Sequence, residues 1–259
     1  MSAPSRADRA GLVVVIGAGF GGLAVLRELA RVGLKATLVD RHQYTTFQPL
    51  LYQVATGGLN LEDVAFPVRT LLRRMRSARF VRGEVVEVNW ECHAVGLEDG
   101  TMLDFDHLVL ATGAATNFFG VAGAAQHALP LYTLTDAARF REHLVSQLEH
   151  AAAARTARPG LRAVVVGGGP TGVETAGALA ELRDLLVGRD YPELDRPDIT
   201  LELLERGPGC CLPPMPVSPG TLARSWSGVG SWCARTAGCR KFVMVRFWSP
   251  LGIHCPTTC

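Results

Sequence analysis

Residues 12–40 read LVVVIGAGFGGLAVLRELARVGLKATLVD. The β-branched run at residues 13–16 predicts a buried strand, and the apolar periodicity after residue 20 predicts a helix that ends near Gly33. A second apolar strand at residues 36–39 then ends on Asp40. This order of elements predicts a β-α-β unit with a glycine-rich turn between its first strand and its helix.

Three glycines in that turn, Gly17, Gly19 and Gly22, form a G-x-G-x-x-G pattern. We expect Gly17 to permit a tight turn, Gly19 to let the backbone approach a pyrophosphate, and Gly22 to let the helix pack closely on the sheet. The helix N-terminus would offer unpaired N–H groups to the phosphates. Asp40 lies 23 residues after Gly17, where an acid can bind a ribose 2′-hydroxyl. The unit predicts a dinucleotide site rather than a plain glycine turn.

The same design occurs a second time. A strand at residues 163–166 leads into another glycine turn and a helix predicted over residues 173–185. The strand at residues 199–204 then ends on Glu205, after a polar insertion at residues 187–198. The residues of the second turn are Gly167, Gly169, Pro170, Thr171 and Gly172. Two such units predict a flavin that stays bound, a nicotinamide that exchanges, and hydride transfer between them.

Four shorter segments carry further predictions. The strand at residues 108–110 ends in Ala111-Thr112-Gly113, which is either a ligand-facing turn at the carboxyl edge of a sheet or a plain loop. The run FQPLLYQVA at residues 47–55 predicts a short helix after Pro49. The alternative to a functional role for this segment is a helix that only packs in the core. Residues 67–76 predict an amphipathic helix, and Asp99-Gly100 predicts a hairpin turn.

Composition divides the chain into a body and a tail. The formal charge of +2 is the sum of −3 for residues 1–206 and +5 for residues 207–259, so the body gives no reason to expect nucleic-acid binding. Only Cys92 lies in the body, whereas six cysteines lie in the tail. We expect a disordered N-terminus at residues 1–10, with neither an export signal nor a transmembrane helix.

Four segments together resemble the type II NADH dehydrogenases, the single-subunit NADH:quinone oxidoreductases of the two-dinucleotide-binding-domain flavoproteins. They are VVVIGAGFGGL at 13–23, FQPLLYQVATGGL at 47–59, LVLATGA at 108–114 and VVVGGGPTGVETAGALAEL at 164–182. The resemblance implies an α/β fold with two Rossmann-like units, a small antiparallel β segment and an irregular tail. The implied domains are an FAD-binding domain at 11–120, a connecting loop and helix at 121–160, an incomplete NADH-binding domain at 161–206 and an aberrant tail at 207–259.

The resemblance also implies roles for individual residues. The FAD pyrophosphate and ribose would be held by Gly17, Gly19, Phe20, Gly21, Gly22, Asp40 and Arg41. The flavin and quinone side would be formed by Gln48, Pro49, Leu50, Gln53, Ala111, Thr112 and Gly113. NADH would be received by Gly167, Gly169, Pro170, Thr171, Gly172 and Glu205. The implied catalytic residues are Gln53 and Glu174, which would lie near the flavin and the nicotinamide, and no metal is implied.

Two acids of the second unit have alternatives. Glu174 either helps to move protons or position the nicotinamide, or is an acid favoured by the dipole in the first turn of a helix. Glu205 favours NADH over NADPH because a carboxylate repels a 2′-phosphate, although the adjacent Arg206 weakens that preference. Residues 41–91 contain no cysteine, which argues against a disulfide relay and for direct electron transfer from flavin to an acceptor.

The tail lacks the segments with which relatives continue, so we expect a chain that is C-terminally truncated or frame-shifted. Codons for residues 222–236, read two nucleotides later, can encode RAELERRGVVVRT, and metal binding by the tail cysteines is the weaker alternative.

The leading interpretation is transfer of hydride from NADH to FAD and of electrons to a quinone. The rivals are a reductase for ferredoxin or a dye, and an inactive fragment. The resemblance implies a respiratory-chain enzyme in the cytoplasm or at the cytoplasmic membrane face, with a homodimer left open.

Overall fold

A computed structural model of the chain describes residues 11–154 and 160–205, together with the backbone of residues 232–235 and 244–248. Contacts divide the chain into two compact units. The first unit is Met1–Phe47 with Ala65–Ala115, and the second is Gln48–Val64 with Thr116–Cys259. The chain therefore enters the second unit briefly, returns to the first, and then continues in the second.

The first unit contains a parallel four-stranded sheet in the order β5-β2-β1-β9. Its strands are β1 Val13–Ile16, β2 Ala36–Asp40, β5 Ala78–Arg82 and β9 His107–Leu110. Helix α1, Phe20–Arg31, connects β1 to β2, and helix α4, Val68–Leu72, precedes β5. The neighbours of β1 in the sheet are β2 on one side and β9 on the other. The direction in which strands are added to the sheet therefore reverses at β1, beside the first glycine turn.

Both faces of this sheet are buried because alternate residues of its strands point to opposite sides. On one face, Val15 and Leu38 pack with Leu26 of α1, and all three are fully buried. On the other face, Val14 and Val39 pack in the cluster that contains the antiparallel sheet. Each such aliphatic side chain contributes about 1.5–3 kcal/mol when it is fully buried.

Two small antiparallel sheets complete the first unit. One is formed by β3 Tyr44–Thr46 and β4 Ala65–Pro67, the other by β6 Val85–Asn89, β7 Ala94–Leu97 and β8 Met102–Asp104. The predicted turn at Asp99-Gly100 connects β7 to β8, and Gly100 has a φ of +83°. The antiparallel β segment expected from the resemblance is thereby confirmed.

The second unit has a sheet in the order β10-β14-β11-β12-β13. Its strands are β10 Leu129–Pro130, β11 Leu161–Val166, β12 Ile199–Glu205, β13 Trp232–Arg235 and β14 Met244–Trp248. Strands β11, β12 and β13 are parallel, whereas β14 pairs antiparallel with β11 and β10. The helices are α2 Leu51–Ala55, α3 Leu61–Val64, α5 Ala124–His127, α6 Leu134–Ala153 and α7 Pro170–Leu186, with 3-10 turns at Gln48–Leu50 and Arg196–Asp198.

Helix α6 begins at a complete capping box. The Thr133 hydroxyl accepts a hydrogen bond from the Asp136 backbone N–H at 3.1 Å, and the Asp136 carboxylate accepts one from the Thr133 N–H at 2.8 Å. Thr133 is therefore the N-cap of α6. The core of the second unit surrounds the fully buried Phe140 of this helix.

Several elements differ from the sequence predictions. Residues 48–64 group with the second unit, not with the first domain at 11–120, because Leu51 and Val54 of α2 pack in the core that surrounds α6. Helix α6 also packs against β11, so it belongs to that unit rather than to a separate connector at 121–160. The helix predicted at 67–76 is shorter, and the region predicted as a connecting loop and helix at 121–160 also contains α5 and β10.

The tail was expected to be irregular, and the backbone of residues 232–235 and 244–248 forms strands β13 and β14. The letters WCAR and MVRFW include residues that favour strands, but each run is too short to stand out without a partner strand. Three further predictions concern residues outside the described part of the chain or side chains that are not described. They are the disordered residues 1–10, a metal site at the tail cysteines and the alternative reading frame. Within the described residues, no helix is long and apolar enough to cross a membrane.

Candidate dinucleotide sites

The first glycine turn follows the carboxyl end of β1. Gly17 has a φ of +103°, a conformation that L side chains rarely adopt, and its N–H donates to the Val39 carbonyl at 2.8 Å. A β-carbon on Gly17 would also collide with the Ala111 carbonyl group. The prediction that Gly17 permits a tight turn is confirmed, and both the turn angle and the neighbouring segment require glycine.

The other two glycines of the turn differ in their surroundings. A β-carbon on Gly22 would collide with the carbonyl oxygen of Gly17, so α1 lies against the turn itself. Gly19 is the N-cap of α1 and has no atom within 4 Å of the place where a β-carbon would lie. The turn is therefore closed on the protein side at Gly22 and open at Gly19, as a backbone cradle for phosphates requires.

Asp40 ends β2 beside this turn. Its carboxylate accepts a hydrogen bond from the Ala18 N–H at 2.6 Å and one from the His42 N–H at 2.7 Å. The half-buried acid thus connects the end of β2 to the glycine turn. Arg41, also assigned to the cofactor, is exposed and has its Nη1 atom 3.9 Å from Oε1 of Glu84.

The Ala111-Thr112-Gly113 segment lies next to the first glycine turn. Strands β1 and β9 are paired with Ile16 opposite Leu110, and the Ala111 N–H donates to the Ile16 carbonyl at 2.8 Å. Thr112 and Gly113 are exposed, and Gly113 has a φ of +75°. The structure therefore brings together the glycine turn, Asp40 and this segment at one sheet edge, where α/β proteins bind ligands.

The second glycine turn repeats the first. Gly167 has a φ of +113°, and its N–H donates to the Leu204 carbonyl at 2.8 Å. Gly169 caps α7 with no atom within 4 Å of its β-carbon position, and Pro170 begins the helix, where its missing N–H needs no intrahelical partner. Gly172 is buried and Thr171 is half-buried in the first turn of the helix. As in the first unit, the N-cap glycine has open space beside it and the third glycine of the pattern is buried.

Glu205 ends β12 and is buried, with 7% of its surface exposed. Its Oε2 atom accepts a hydrogen bond from the Gly168 N–H at 2.6 Å. The acids of the two units therefore bind the residue that follows the first glycine of their own turns. Neither Ala18 nor Gly168 was among the sequence-predicted residues, although their place inside G-x-G could have identified them.

Glu174 is exposed and lies on the fifth residue of α7. The helix begins three residues before the predicted start at residue 173, so Glu174 is not in its first turn. Because the dipole effect falls off within the first turn, the alternative explanation for an acid at this position is weakened. The described residues show no hydrogen bond or ion pair that fixes the Glu174 carboxylate.

The predicted residues Gln48, Pro49 and Gln53 lie in the second unit. The Gln53 amide donates to the Tyr52 hydroxyl at 3.1 Å, and the Gln48 amide donates to the Tyr132 carbonyl at 3.4 Å. Pro49 is exposed. Tyr52 adjoins Gln53 in the quoted motif, but no pattern in the sequence pointed to Tyr132.

Phe20 packs edge-to-face against Phe47, with ring centroids 5.5 Å apart. Both rings are exposed, and Phe20 begins α1 next to Gly19 and Gly21. Gly21 lies 3.8 Å, measured from its β-carbon position, from the Ala111 methyl group. The described residues contain no cluster of three or more side chains that could bind a metal ion.

Both turns fit the pyrophosphate of a dinucleotide. Each presents an open backbone position at a helix N-cap, Gly19 or Gly169, and each has an acid at the end of the next strand, Asp40 or Glu205. Helix N-termini attract phosphate through free N–H groups and the positive end of the dipole. Because backbone N–H groups can bind the phosphates, neither turn needs a basic side chain. Both turns consist mostly of glycine.

The chain is similar to known proteins. Residues 12–218 match the family described as pyridine nucleotide-disulphide oxidoreductase. The chain is 36% identical over 228 residues to the type II NADH:quinone oxidoreductase Ndh of Mycobacterium tuberculosis. The aligned residues cover 85% of this chain and 48% of that relative. NdhA of the same organism is 35% identical over 229 residues. The chain thus spans about half the length of these curated relatives.

A structural comparison agrees with the sequence comparison. The structure of NDH2 from Plasmodium falciparum in complex with NADH superimposes with a TM-score of 0.69 and 26% identity, over 78% of this chain and 43% of that one. The two-unit α/β fold and the resemblance to type II NADH:quinone oxidoreductases are thereby confirmed. On the family match over most of its length, the chain belongs to the pyridine nucleotide-disulphide oxidoreductase family.

Proposed function

We propose that this chain provides the FAD and NADH sites of an NADH:quinone oxidoreductase, with FAD on the first unit and NADH on the second. One observation carries the proposal: the chain contains two glycine turns of the same geometry, each hydrogen-bonded through its second residue to a strand-end acid. The relatives are named type II NADH:quinone oxidoreductases, and the superimposed NDH2 structure contains NADH. Two dinucleotide sites fit a resident coenzyme and an exchanging one.

In the first unit, the N–H groups at the start of α1 bind the FAD pyrophosphate at Gly17, Gly19 and Gly22. Phe20 and Gly21 shape the turn, and Asp40, with Arg41 beside it, binds the adenosine ribose. Ala111, Thr112 and Gly113 form the neighbouring wall of that site. Gln48 and Pro49, which the resemblance assigns to the flavin, belong to the second unit.

In the second unit, Gly167, Gly169 and Gly172 bind the NADH pyrophosphate, with Pro170 and Thr171 in the same helix turn. Glu205 binds the ribose hydroxyls and repels the 2′-phosphate of NADPH. That repulsion is strengthened because Glu205 is buried, where water screens charges less effectively. NADH is therefore the preferred reductant.

Bound FAD would supply the redox chemistry, with a hydride taken from NADH and two electrons passed on to a quinone. The exposed Glu174 carboxylate, on the fifth residue of α7, orients the nicotinamide or moves a proton. Gln53 donates toward the acceptor through an amide whose rotation is limited by its bond to the Tyr52 hydroxyl. Leu50 supplies apolar contact in the same segment.

The test uses the purified 259-residue chain. The expected protein is yellow from retained FAD, loses its flavin absorbance when NADH is added without oxygen, and regains it when a soluble quinone is added. NADPH at the same concentration should bleach it far more slowly. Absence of flavin after reconstitution with FAD contradicts the proposal, and reoxidation by ferredoxin or a dye but not by quinone contradicts the acceptor.

We also propose attachment of this oxidoreductase to the cytoplasmic face of a membrane, where quinones dissolve, and assembly as a homodimer. The support is the kinship with quinone-reducing relatives. Flotation with anionic phospholipid vesicles tests the attachment, and light scattering tests the dimer. Protein that stays at the bottom of the gradient and has a monomer mass contradicts both.

A further inference from the structure

The two units make the same kind of hydrogen bond, from a turn N–H to a strand-end carboxylate, with different residues. In the first, the N–H of Ala18 donates to Oδ2 of Asp40 at 2.6 Å. In the second, the N–H of Gly168 donates to Oε2 of Glu205 at 2.6 Å. The acid of the second unit is one methylene longer, and the residue that binds it is one methyl group smaller.

The absence of a side chain at Gly168 has no conformational cause. Gly168 does not have the positive φ of its neighbour Gly167, so an L residue could adopt its backbone conformation. A β-carbon there would instead lie 3.0 Å from Cβ, 3.1 Å from Cγ and 3.1 Å from Oε2 of Glu205. These distances are shorter than ordinary van der Waals contacts, so the glutamate side chain occupies the space of the missing methyl group.

The first unit shows the reverse arrangement. Ala18 is 2% exposed, so its methyl group is buried within the turn. The shorter side chain of Asp40 still makes a bond of the same length to the Ala18 N–H. The combined volume of the turn residue and the acid is thus nearly conserved between the two units, although each member differs.

From this complementarity we propose that Gly168 is a positioning residue that determines nucleotide specificity through Glu205. This inference rests on the proposed role of Glu205 in binding the NADH ribose. A methyl group at residue 168 would displace the buried carboxylate by a few tenths of an ångström, with little free space for relaxation. The displaced carboxylate would bind the ribose hydroxyls less well and repel a 2′-phosphate from a less favourable position.

The first experiment measures nucleotide affinity by calorimetry with the full chain. Gly168→Ala should weaken NADH binding about tenfold and reduce the preference for NADH over NADPH, because charge-assisted hydrogen bonds depend strongly on geometry. Gly168→Ala with Glu205→Asp should recover most of both losses, since it copies the Ala18 and Asp40 pair. The matched control is Gly177→Ala in helix α7, which follows the turn, where a β-carbon has no neighbour within 4 Å.

The second experiment requires no nucleotide. In urea unfolding, Gly168→Ala should lower the midpoint in the wild-type background and lower it much less in the Glu205→Asp background. Equal effects in both backgrounds would overturn the volume argument. Wild-type chain that does not bind NADH would contradict the proposed function but leave this measurement valid. NADH binding that Gly168→Ala leaves unchanged would overturn the specificity inference alone.

Discussion

The α-carbon of Gly22 lies so close to the carbonyl oxygen of Gly17 that no β-carbon fits between them. The first turn of α1 is therefore packed directly on the glycine turn that precedes it. Gly19, between these two residues, has open space where its β-carbon would be. Gly22 is thus required by the packing of the fold, whereas Gly19 leaves room for a bound phosphate.

We expect Gly22→Ala to destabilise the protein by about 2–3 kcal/mol, because overpacking a close contact strains the backbone. Gly19→Ala should cost only about 0.5–1 kcal/mol, since it changes an N-cap without a clash. It should nevertheless lose most retained FAD, because the methyl group fills the open side of the turn. Urea unfolding and flavin absorbance measure the two effects. Equal destabilisation by both substitutions would refute the distinction.

Asp40→Asn should destabilise the first unit by about 1–2 kcal/mol, since backbone N–H groups bond more strongly to a carboxylate than to an amide. The amide cannot accept the bonds from Ala18 and His42 through both of its terminal atoms. We also expect weaker retention of FAD. The control is Asp104→Asn on β8 of the same unit, whose exposed carboxylate is not assigned to the cofactor. An Asp40 variant with wild-type FAD affinity would argue against the ribose contact.

Glu174→Gln should slow reduction of the bound flavin by NADH about tenfold if its charge moves a proton or orients the nicotinamide. Glu181→Gln, two turns later on α7 and also exposed, provides a control on the same helix. Stopped-flow absorbance of flavin reduction distinguishes the two variants. Identical rates would assign Glu174 to the solvated surface.

Thr133→Ala should destabilise the second unit by about 1 kcal/mol, because the hydroxyl accepts the Asp136 N–H that begins α6. Thr135→Ala should have a much smaller effect, since Thr135 is exposed within the helix. Thermal unfolding followed by circular dichroism measures both. A larger effect at Thr135 would contradict the assignment of the cap.

Stability should fall at alkaline pH through Tyr191, whose hydroxyl donates to the Glu149 carboxylate at 2.8 Å. Burial, followed by this hydrogen bond, raises the pKa of Tyr191 from 10.0 to about 12. The unfolded chain therefore loses the proton first, and the stability present below pH 10.0 is lost as the pH rises toward 12. Tyr191→Phe should flatten this decline in urea unfolding at several pH values, and an unchanged slope would contradict it.

Much of both sites could be predicted from local sequence. The β-branched runs, the glycine spacings and the strand-end acids occur in one order within each unit, and each feature acts over neighbouring residues. The positive φ of Gly17 and Gly167 and the start of α7 at Pro170 are consequences of that local chemistry. The prediction of two dinucleotide turns therefore needed no knowledge of distant contacts.

Tertiary structure alone decided which segments share a unit and which backbone groups meet the acids. Residues 48–64 lie between two segments of the first unit in the chain, yet Leu51 and Val54 are buried in the core around Phe140. Gly168 meets Glu205 only because parallel pairing of β11 with β12 places residues 37 positions apart side by side. Local propensity has no information about such pairings, since they depend on burial of surfaces that are distant in sequence.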